Sequence, residues 1–577
     1  MNTDNYQYTS SMEAQSRNAF TPFVDKQCNQ YVADINSGVY SNSGLTLVQF
    51  DLSQIYNSSR WTSTQDMFLT IPIQMVAAFS TGAALVAPST CASYSLLSLK
   101  NGYHHLIHSA DLVIDGKTVS DSQPFLNINT HVKMLSEMSY TDLLTSGTAL
   151  GMSDELDSPY SQVWNTVGAA SKSGDGLTNN CMLGPASSLG TVGSVQTALT
   201  VAQGGKVMNT SGCKRIARSY DITAGHTQNL TGLVSASKMV QDFRPTFTEA
   251  GSYMIWNDVA IIRLRDLFDS MDKIGLVKKL NCQLRLYVNT GACSIGVSDP
   301  NATTTGYATF SPSNSTFGAT CPFTINYLAD LVANGGIPAT TTNIVAGCFI
   351  QRPATTALAG VNLALSNASH AMPSCRIYYS SIQLDPAKEL KYIESSSAKS
   401  VVYKNYICNQ YSAITAGGNF SQIIQSGITN AYALLIVPLI ATTAQNNHTQ
   451  YGSPYDTSPA TFSPLQVSNL SVQLGGVQVY QQAYQYSFEH FLTQINNNES
   501  PVAGDFGLGT GLVSRAWWEN NRFIWVNLTR SAPADRVVPR SIYLSFTNNS
   551  DVAMDLLVFT IYLDEFTLDV SKGSITK

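Results

Sequence analysis

Four β-type landmarks recur in the same order in the two parts of this chain, and that recurrence constrains the fold more than any other feature. The closest pair is residues 109–119, SADLVIDGKTV, against residues 469–479, NLSVQLGGVQV. They align without a gap, Gly116 on Gly476 and Val119 on Val479. Each reads as a half-buried strand turning tightly, at Asp115-Gly116 or at Gly475-Gly476. A short amphipathic helix is expected after each. In SFEHFLTQI, residues 487–495, Phe488, Phe491, Leu492 and Ile495 share one helical face; Val132, Leu135 and Met138 recur at helical spacing in residues 131–138.

Three further pairs keep the order. Residues 67–77, MFLTIPIQMVA, match 433–443, ALLIVPLIATT, with Pro72 on Pro438. Residues 284–291, LRLYVNTG, match 543–550, YLSFTNNS, with Asn289 on Asn548, and residues 375–385 match 554–564. The order implies a tandem duplication of one β domain. Short strands bounded by turn signals, with one or two brief helices, predict an all-β chain of two tandem antiparallel β-sandwiches, not a βαβ fold.

The expected division is a polar N-terminal arm over residues 1–40, a first domain over 41–388 and a second over 389–577, with a connector near 386–394. The two copies differ at their connections. Gly116 to Leu264 is far longer than Gly476 to Leu528, and Asn289 to Asp385 far longer than Asn548 to Asp564. Residues 146–236 and 290–345, rich in Gly, Ser, Thr, Asn and Ala, are therefore read as insertions in the first domain, longer than ordinary loops. Core strands must keep their length and register, so extra chain leaves through loops. Both excursions are expected to project from the same end of the first sandwich.

Composition bounds what the surface can do. At 577 residues the chain can hold two or three cores. Only 12% of residues are charged, about half the usual share. Ser, Thr, Asn, Gln and 28 Tyr replace them. Hydroxyls and amides cost less to desolvate than Lys and Glu, which favours large contacts between subunits. Net charge is −6, and residues 1–44 carry Arg17 and Lys26 against Asp4, Glu13, Asp25 and Asp34, which argues against a general nucleic-acid binder. Ten cysteines are scattered without a CxxC pair and read as reduced and buried, Cys282 and Cys375 within strands. The polar, acidic N-terminal residues do not read as a signal peptide, and no apolar run is long enough to span a membrane, which points to an intracellular origin.

No residue is assigned a catalytic, cofactor-binding or metal-ligating role. Gly116-Lys117-Thr118 has the ending of a phosphate loop, but Asp111 stands where that motif needs Gly, and the setting is a hairpin. His104, His105 and His108 could approach one another, yet no carboxylate or cysteine lies at motif spacing, and they read as a solvated loop. Arg263, Arg265, Asp266 and Asp269 form a mixed-sign cluster, as do Arg530, Asp535, Arg536 and Arg540 in the comparable place of the second copy. Such clusters are expected to be ion pairs holding a loop or a subunit contact. Trp517, Trp518 and Trp525 could stack on sugars or bases, but read as core. No GxSxG, HExxH or Cys/His arrangement is present.

The chain resembles the double jelly-roll major capsid proteins of virophages and polinton-like viruses. The resemblance covers residues 41–577. It rests on the tandem β domains, SFEHFLTQI after a Gly-Gly hairpin, FIWVNLTRSAPADRVVPRSIYLSFTNNS and the closing TIYLDEFTLDVSKGSI. It implies two eight-stranded jelly rolls upright in an icosahedral shell, and homotrimers forming pseudo-hexagonal capsomers. Neighbouring capsomers, penton proteins and minor capsid proteins are the implied partners, and the virion the implied location. The basic packaging arm of many single jelly-roll capsids is missing, which fits a genome condensed by other proteins or lying beneath a membrane. The runner-up is a secreted or surface-attached β-sandwich lectin or adhesin. A β-sandwich glycosidase would need a carboxylate pair that the chain does not offer.

Overall fold

Two hairpin turns show how local chemistry sets the framework. At Asp115-Gly116 φ is 49° and 74°, and at Gly475-Gly476 it is 60° and 81°. Two consecutive left-handed residues make the type I′ turn, whose twist matches the strands it joins. The computed structural model describes residues 24–36, 38–41, 44–79, 97–147, 149–152, 246–247, 253–298, 309–313, 319–325, 342–350, 355–358, 361–364, 374–396, 398–441, 465–480, 485–496, 512–529, 538–550 and 553–577.

Two series of eight strands organise the chain. The first comprises β1 (Val24–Ala33), β2 (Leu45–Asp51), β3 (Phe68–Phe79), β4 (Ile107–Ile114), β5 (Lys117–Ser120), β6 (Tyr253–Arg263), β7 (Cys282–Asn289) and β8 (Arg376–Leu384). The second comprises β9 (Lys399–Ile414), β10 (Asn419–Ile428), β11 (Ala431–Ile440), β12 (Val467–Leu474), β13 (Val477–Gln478), β14 (Ile524–Asn527), β15 (Arg540–Asn548) and β16 (Met554–Leu568). In the first series one sheet contains the order β1-β8-β3-β6 and the other is β2-β7-β4-β5. The second series repeats it, β9-β16-β11-β14 facing β10-β15-β12-β13. All these pairings are antiparallel, and this order is that of a jelly roll. The chain therefore has a double jelly-roll fold. The matched landmarks are the third, fourth and fifth, seventh and eighth strands of each roll.

Alternation explains how each roll closes. In β7 Cys282, Leu284, Leu286 and Val288 point inward, and in β15 Ile542, Leu544 and Phe546 do the same. Core strands β11 and β16 are buried on both faces from Ala433 to Leu439 and from Met554 to Ile561, and apart from Asp555 and Thr560 those residues are apolar. Among the described residues, each matched proline sits next to the end of a run of ladder pairing on one side of its strand. On one side of β3, β8 pairs with Phe68–Thr70 and the strand Thr342–Ile350 with Ile73–Phe79, so Pro72 falls between partners. Pro438 lies past the part of β11, Ala433 to Ile436, that pairs with β14. A missing N–H costs a ladder bond only where a partner waits for it.

Several expectations need correction. The arm predicted over residues 1–40 is not wholly outside the fold, because Val24–Ala33 is the first strand, paired along β8. The helix predicted at residues 131–138 is α1 (Leu126–Glu137), five residues earlier at its start, and the connector contains a helix rather than a plain linker. Parts of the second insertion are regular: Gly291–Ser298 and Thr309–Ser313 extend the β3 sheet beyond Thr342–Ile350. Residues 153–236 of the first insertion lie outside the described residues, as do 1–23 of the arm.

The flanks of both insertions stand at one end of the first roll. β3 and β6 run on past the start of β8, pairing up to Ala78 and Tyr253. The strand Thr246–Phe247, which closes the first excursion, pairs with β6 at Met254 and Ile255. Gly291, where the second leaves, pairs with Cys348 beside Met75. Parity accounts for it: strands alternate in direction, so the 3–4, 5–6 and 7–8 connections share one end.

Candidate functional site

Among the described residues the most elaborate polar site is the seam between the rolls. Four further helices help to build it or the second roll beside it: α2 (Asp269–Ile274), α3 (Pro386–Ser396), α4 (Phe488–Asn496) and α5 (Arg515–Asn520). β9 begins just after α3 and lies along α2, α1 and the end of β5. The Tyr403 hydroxyl is 2.9 Å from both the Val119 carbonyl and Asp564 Oδ2, and Asn405 Nδ2 donates to the same carbonyl at 3.3 Å. The Tyr406 hydroxyl donates to the Gln123 carbonyl at 3.0 Å. Burial raises both phenols far from any physiological titration. They are fixed donors and acceptors.

Charge gathers here in a chain that has little of it. Lys404 Nζ meets Glu137 Oε1 at 3.0 Å, and the Lys404 amide donates to Asp269 Oδ2 at 2.8 Å. Lys133 Nζ donates to the Arg265 carbonyl at 2.9 Å and lies 3.7 Å from Asp269. Burial pulls the Lys133 ammonium down, but Glu137, Asp269 and Asp266 outweigh it and hold it above the ordinary lysine value. Lys399 Nζ donates to the Ile274 carbonyl, the last residue of α2, where the helix dipole favours a cation. Partly exposed pairs of this kind contribute about 1 kcal/mol each at most, so they set alignment more than strength.

The last residues staple the second roll to the first. The Lys278 amide donates to the Val570 carbonyl at 2.9 Å. Lys117 Nζ donates to the Ile575 carbonyl at 2.8 Å, and buried Ile575 turns its amide toward Asp115 Oδ2 at 3.4 Å. Residues 115–119, 269–279, 399–406 and 569–577 all belong to the ends of the rolls opposite the long connections. The chain also crosses from β8 to β9 at that end. The two rolls therefore meet at corresponding ends.

Most of the residue groups singled out in the sequence have a place in this picture. Gly116-Lys117-Thr118 is the hairpin turn, with Lys117 engaged in the staple. Arg263 pairs with Asp266 at 2.7 Å and Asp269 serves the seam, so that cluster does hold a loop and a contact, between rolls of one chain. Arg540 lies in β15; Arg530, Asp535 and Arg536 are outside the described residues. Trp517, Trp518 and Trp525 are core, with Trp518 stacked on Phe491 at 5.2 Å between centroids. The histidines depart from expectation. His104 and His105 are buried on the 3-10 turn Tyr103–Leu106, not solvated, and the residue that joins them is His131 of α1, not His108. No local motif marks Lys133, Glu137, Lys404 or His131 in the sequence, because each acts across the fold.

Cys282, Cys321, Cys348 and Cys375 are free and buried, and Cys28 and Cys408 free and partly buried. Cys91, Cys181 and Cys213 are outside the described residues, as is the side chain of Cys293. Burial pushes the Cys282, Cys321 and Cys375 thiols up to about 12, and raises Cys348 and Cys408 as well. Thiolate is the reactive form, so these groups should be slow toward a thiol reagent in the native chain. In denaturant without reductant all ten cysteines should react; a count lower by even one pair would reveal a disulfide.

No family model matches the chain, and no curated protein matches it. Among solved structures, the Faustovirus major capsid protein is similar at 10% identity, with 99% of each chain covered and a TM-score of 0.44. A chain of the Sputnik virophage, seen by cryo-EM, is similar at 10% identity, covering 97% of this chain and 89% of that one at a TM-score of 0.42. The mavirus major capsid protein is similar at 9% identity, covering 95% and 89% at a TM-score of 0.38.

Proposed function

We propose that this chain is a viral major capsid protein, a structural subunit without catalysis, that forms homotrimers and through them an icosahedral shell around the genome. The observation that supports it is the repetition of a whole jelly roll in one chain, docked against its twin at corresponding ends. Three such chains supply six similar blocks, and a closed three-fold ring of six blocks is close to a hexagon that tiles a surface. On this reading the chain divides near residue 388, with the first roll reaching back to β1, and the long connections face outward. At a lateral face their mass would block the next capsomer.

The low charge suits broad lateral contacts, with neighbouring capsomers, penton and minor capsid proteins as partners. The genome is contacted weakly, packed by other proteins or lying beneath a membrane. Sedimentation of the purified chain at micromolar concentration tests the reading. A species with the mass of three chains is expected; a strict monomer at every concentration overturns it.

A further inference from the structure

We infer that His104, His105 and His131 form a site for one divalent transition-metal ion, zinc first, at the base of the long connections. The inference does not depend on the capsid reading. Each histidine offers one ring nitrogen, and the three nitrogens lie within 4.8 Å of one another. All three residues are buried, at 3%, 2% and 0% exposure. Imidazole nitrogens are ligands suited to zinc, copper and nickel. Two nitrogens bound to one zinc at about 2.0–2.1 Å and a tetrahedral angle lie roughly 3.3–3.4 Å apart. His104 Nε2 and His131 Nδ1 are 3.0 Å apart, so a few tenths of an ångström of ring movement would admit the ion between them. The proton they now share would move to a nitrogen facing away, and three neutral imidazoles would bind without releasing a proton.

The surroundings hold the rings in place. Gly102 has φ 108°, and a Cβ there would run into the His104 ring, so only glycine lets that ring fold back. The Gly102 and Tyr103 amides donate to the Gly151 and Leu150 carbonyls at 3.1 and 3.0 Å. The Tyr103 hydroxyl donates to Asp258 Oδ2 at 2.8 Å, which ties the same turn to β6. Asn289 Nδ2 donates to the His105 carbonyl at 3.2 Å, and Asn289 Oδ1 accepts from the Thr320 amide at 3.4 Å. Orientation of ligands by such outer contacts is what a metal site needs. Among the described residues no fourth His, Cys, Asp or Glu joins the group, so water would complete a four-coordinate ion. The site would join the 3–4 connection, through His104 and His105, to the 5–6 connection, through His131. The 7–8 connection abuts it through Asn289 and Thr320. Its effect would be structural, tying down the roots of the excursions.

The competing state is a metal-free stack of hydrogen-bonded imidazoles, and the two states give different results. Full-length chain stripped with chelator, given excess Zn2+ and desalted should retain one zinc per chain and unfold several degrees higher than the stripped form. Mg2+ should do neither. Co2+ should give the visible absorption of a four-coordinate nitrogen site, which reads out the wild-type chain directly. His105→Gln and His131→Gln should each lose the retained ion, while His108→Gln, whose ring is outside the group, should keep it. A stripped wild-type chain that retains no zinc and shows no cobalt absorption overturns the inference. So do folded His105→Gln and His131→Gln chains that retain as much zinc as the parent.

Discussion

Replacing Gly573 with alanine is expected to cost about 2–4 kcal/mol and to loosen the two rolls where the chain's last residues dock. Gly573 has φ 65°, a left-handed conformation that costs an L residue about 1–2 kcal/mol. A Cβ there would run into the Lys279 carbonyl oxygen and lie 2.9 Å from that of Lys278, both backbone atoms of the first roll. Rotation of a side chain cannot relieve that contact. The loop is held from both sides. Asp569 Oδ1 accepts from the Ser571 and Lys572 amides at 3.0 and 3.2 Å, and Lys278 donates to Val570 across the seam. Something larger than glycine must therefore push the loop off Lys278–Lys279 and drag Ile575 with it.

Gly476→Ala is the matched control. Its φ is 81°, but a Cβ there meets nothing within 4 Å, so only the backbone cost of about 1–2 kcal/mol applies. Denaturant midpoints of the two variants should differ, and amide exchange should rise at 569–577 and 115–119 in Gly573→Ala alone. Equal midpoints and unchanged exchange would mean that the docking does not need this glycine.

Acid should destabilise the first roll through His108. The residue is second in β4, 7% exposed, with its ring edge-on to Phe125 at 5.2 Å. Burial lowers its pKa from 6.5 to about 4. The unfolded chain takes up a proton near 6.5 and the folded chain only near 4. Folding is therefore favoured above the upper value, and the advantage is lost as pH falls from 6.5 toward 4. A depression of that size corresponds to roughly 3 kcal/mol across the window. His108→Leu, apolar and unable to titrate, should flatten that part of the stability profile. Urea unfolding of both proteins at pH 7, 6, 5 and 4.5 measures the difference. Parallel profiles for the two would show that His108 is protonated in the native roll after all.

Much of the framework was legible in order and alternation. The landmarks around Pro72, Gly116, Asn289 and residues 375–385, matched to those around Pro438, Gly476, Asn548 and 554–564, all fell on corresponding strands. Alternation and turn chemistry act within a few residues, so each landmark carries its own structural signal. The helix α4 was readable for the same reason, since Phe491 and Ile495 lie on its buried face. The I′ turns needed only Asp-Gly and Gly-Gly. That the long connections share an end also follows from strand parity once the eight strands are counted.

What the sequence could not supply is partnership between distant segments. Val24–Ala33 is mostly exposed and polar, so no inward pattern marks it as a strand; pairing with β8, far along the chain, makes it one. His131 joins His104 and His105 only because α1 folds against the 3-10 turn, which is why His108 looked the nearer companion. Lys404 reaches Glu137, and Gly573 rests on Lys279, because two finished rolls meet. Sequence records which face of a short element is apolar, a property each residue carries with it. Which polar groups become neighbours is decided when the sheets close and the rolls dock, since burial and charge pairing are properties of the assembled chain.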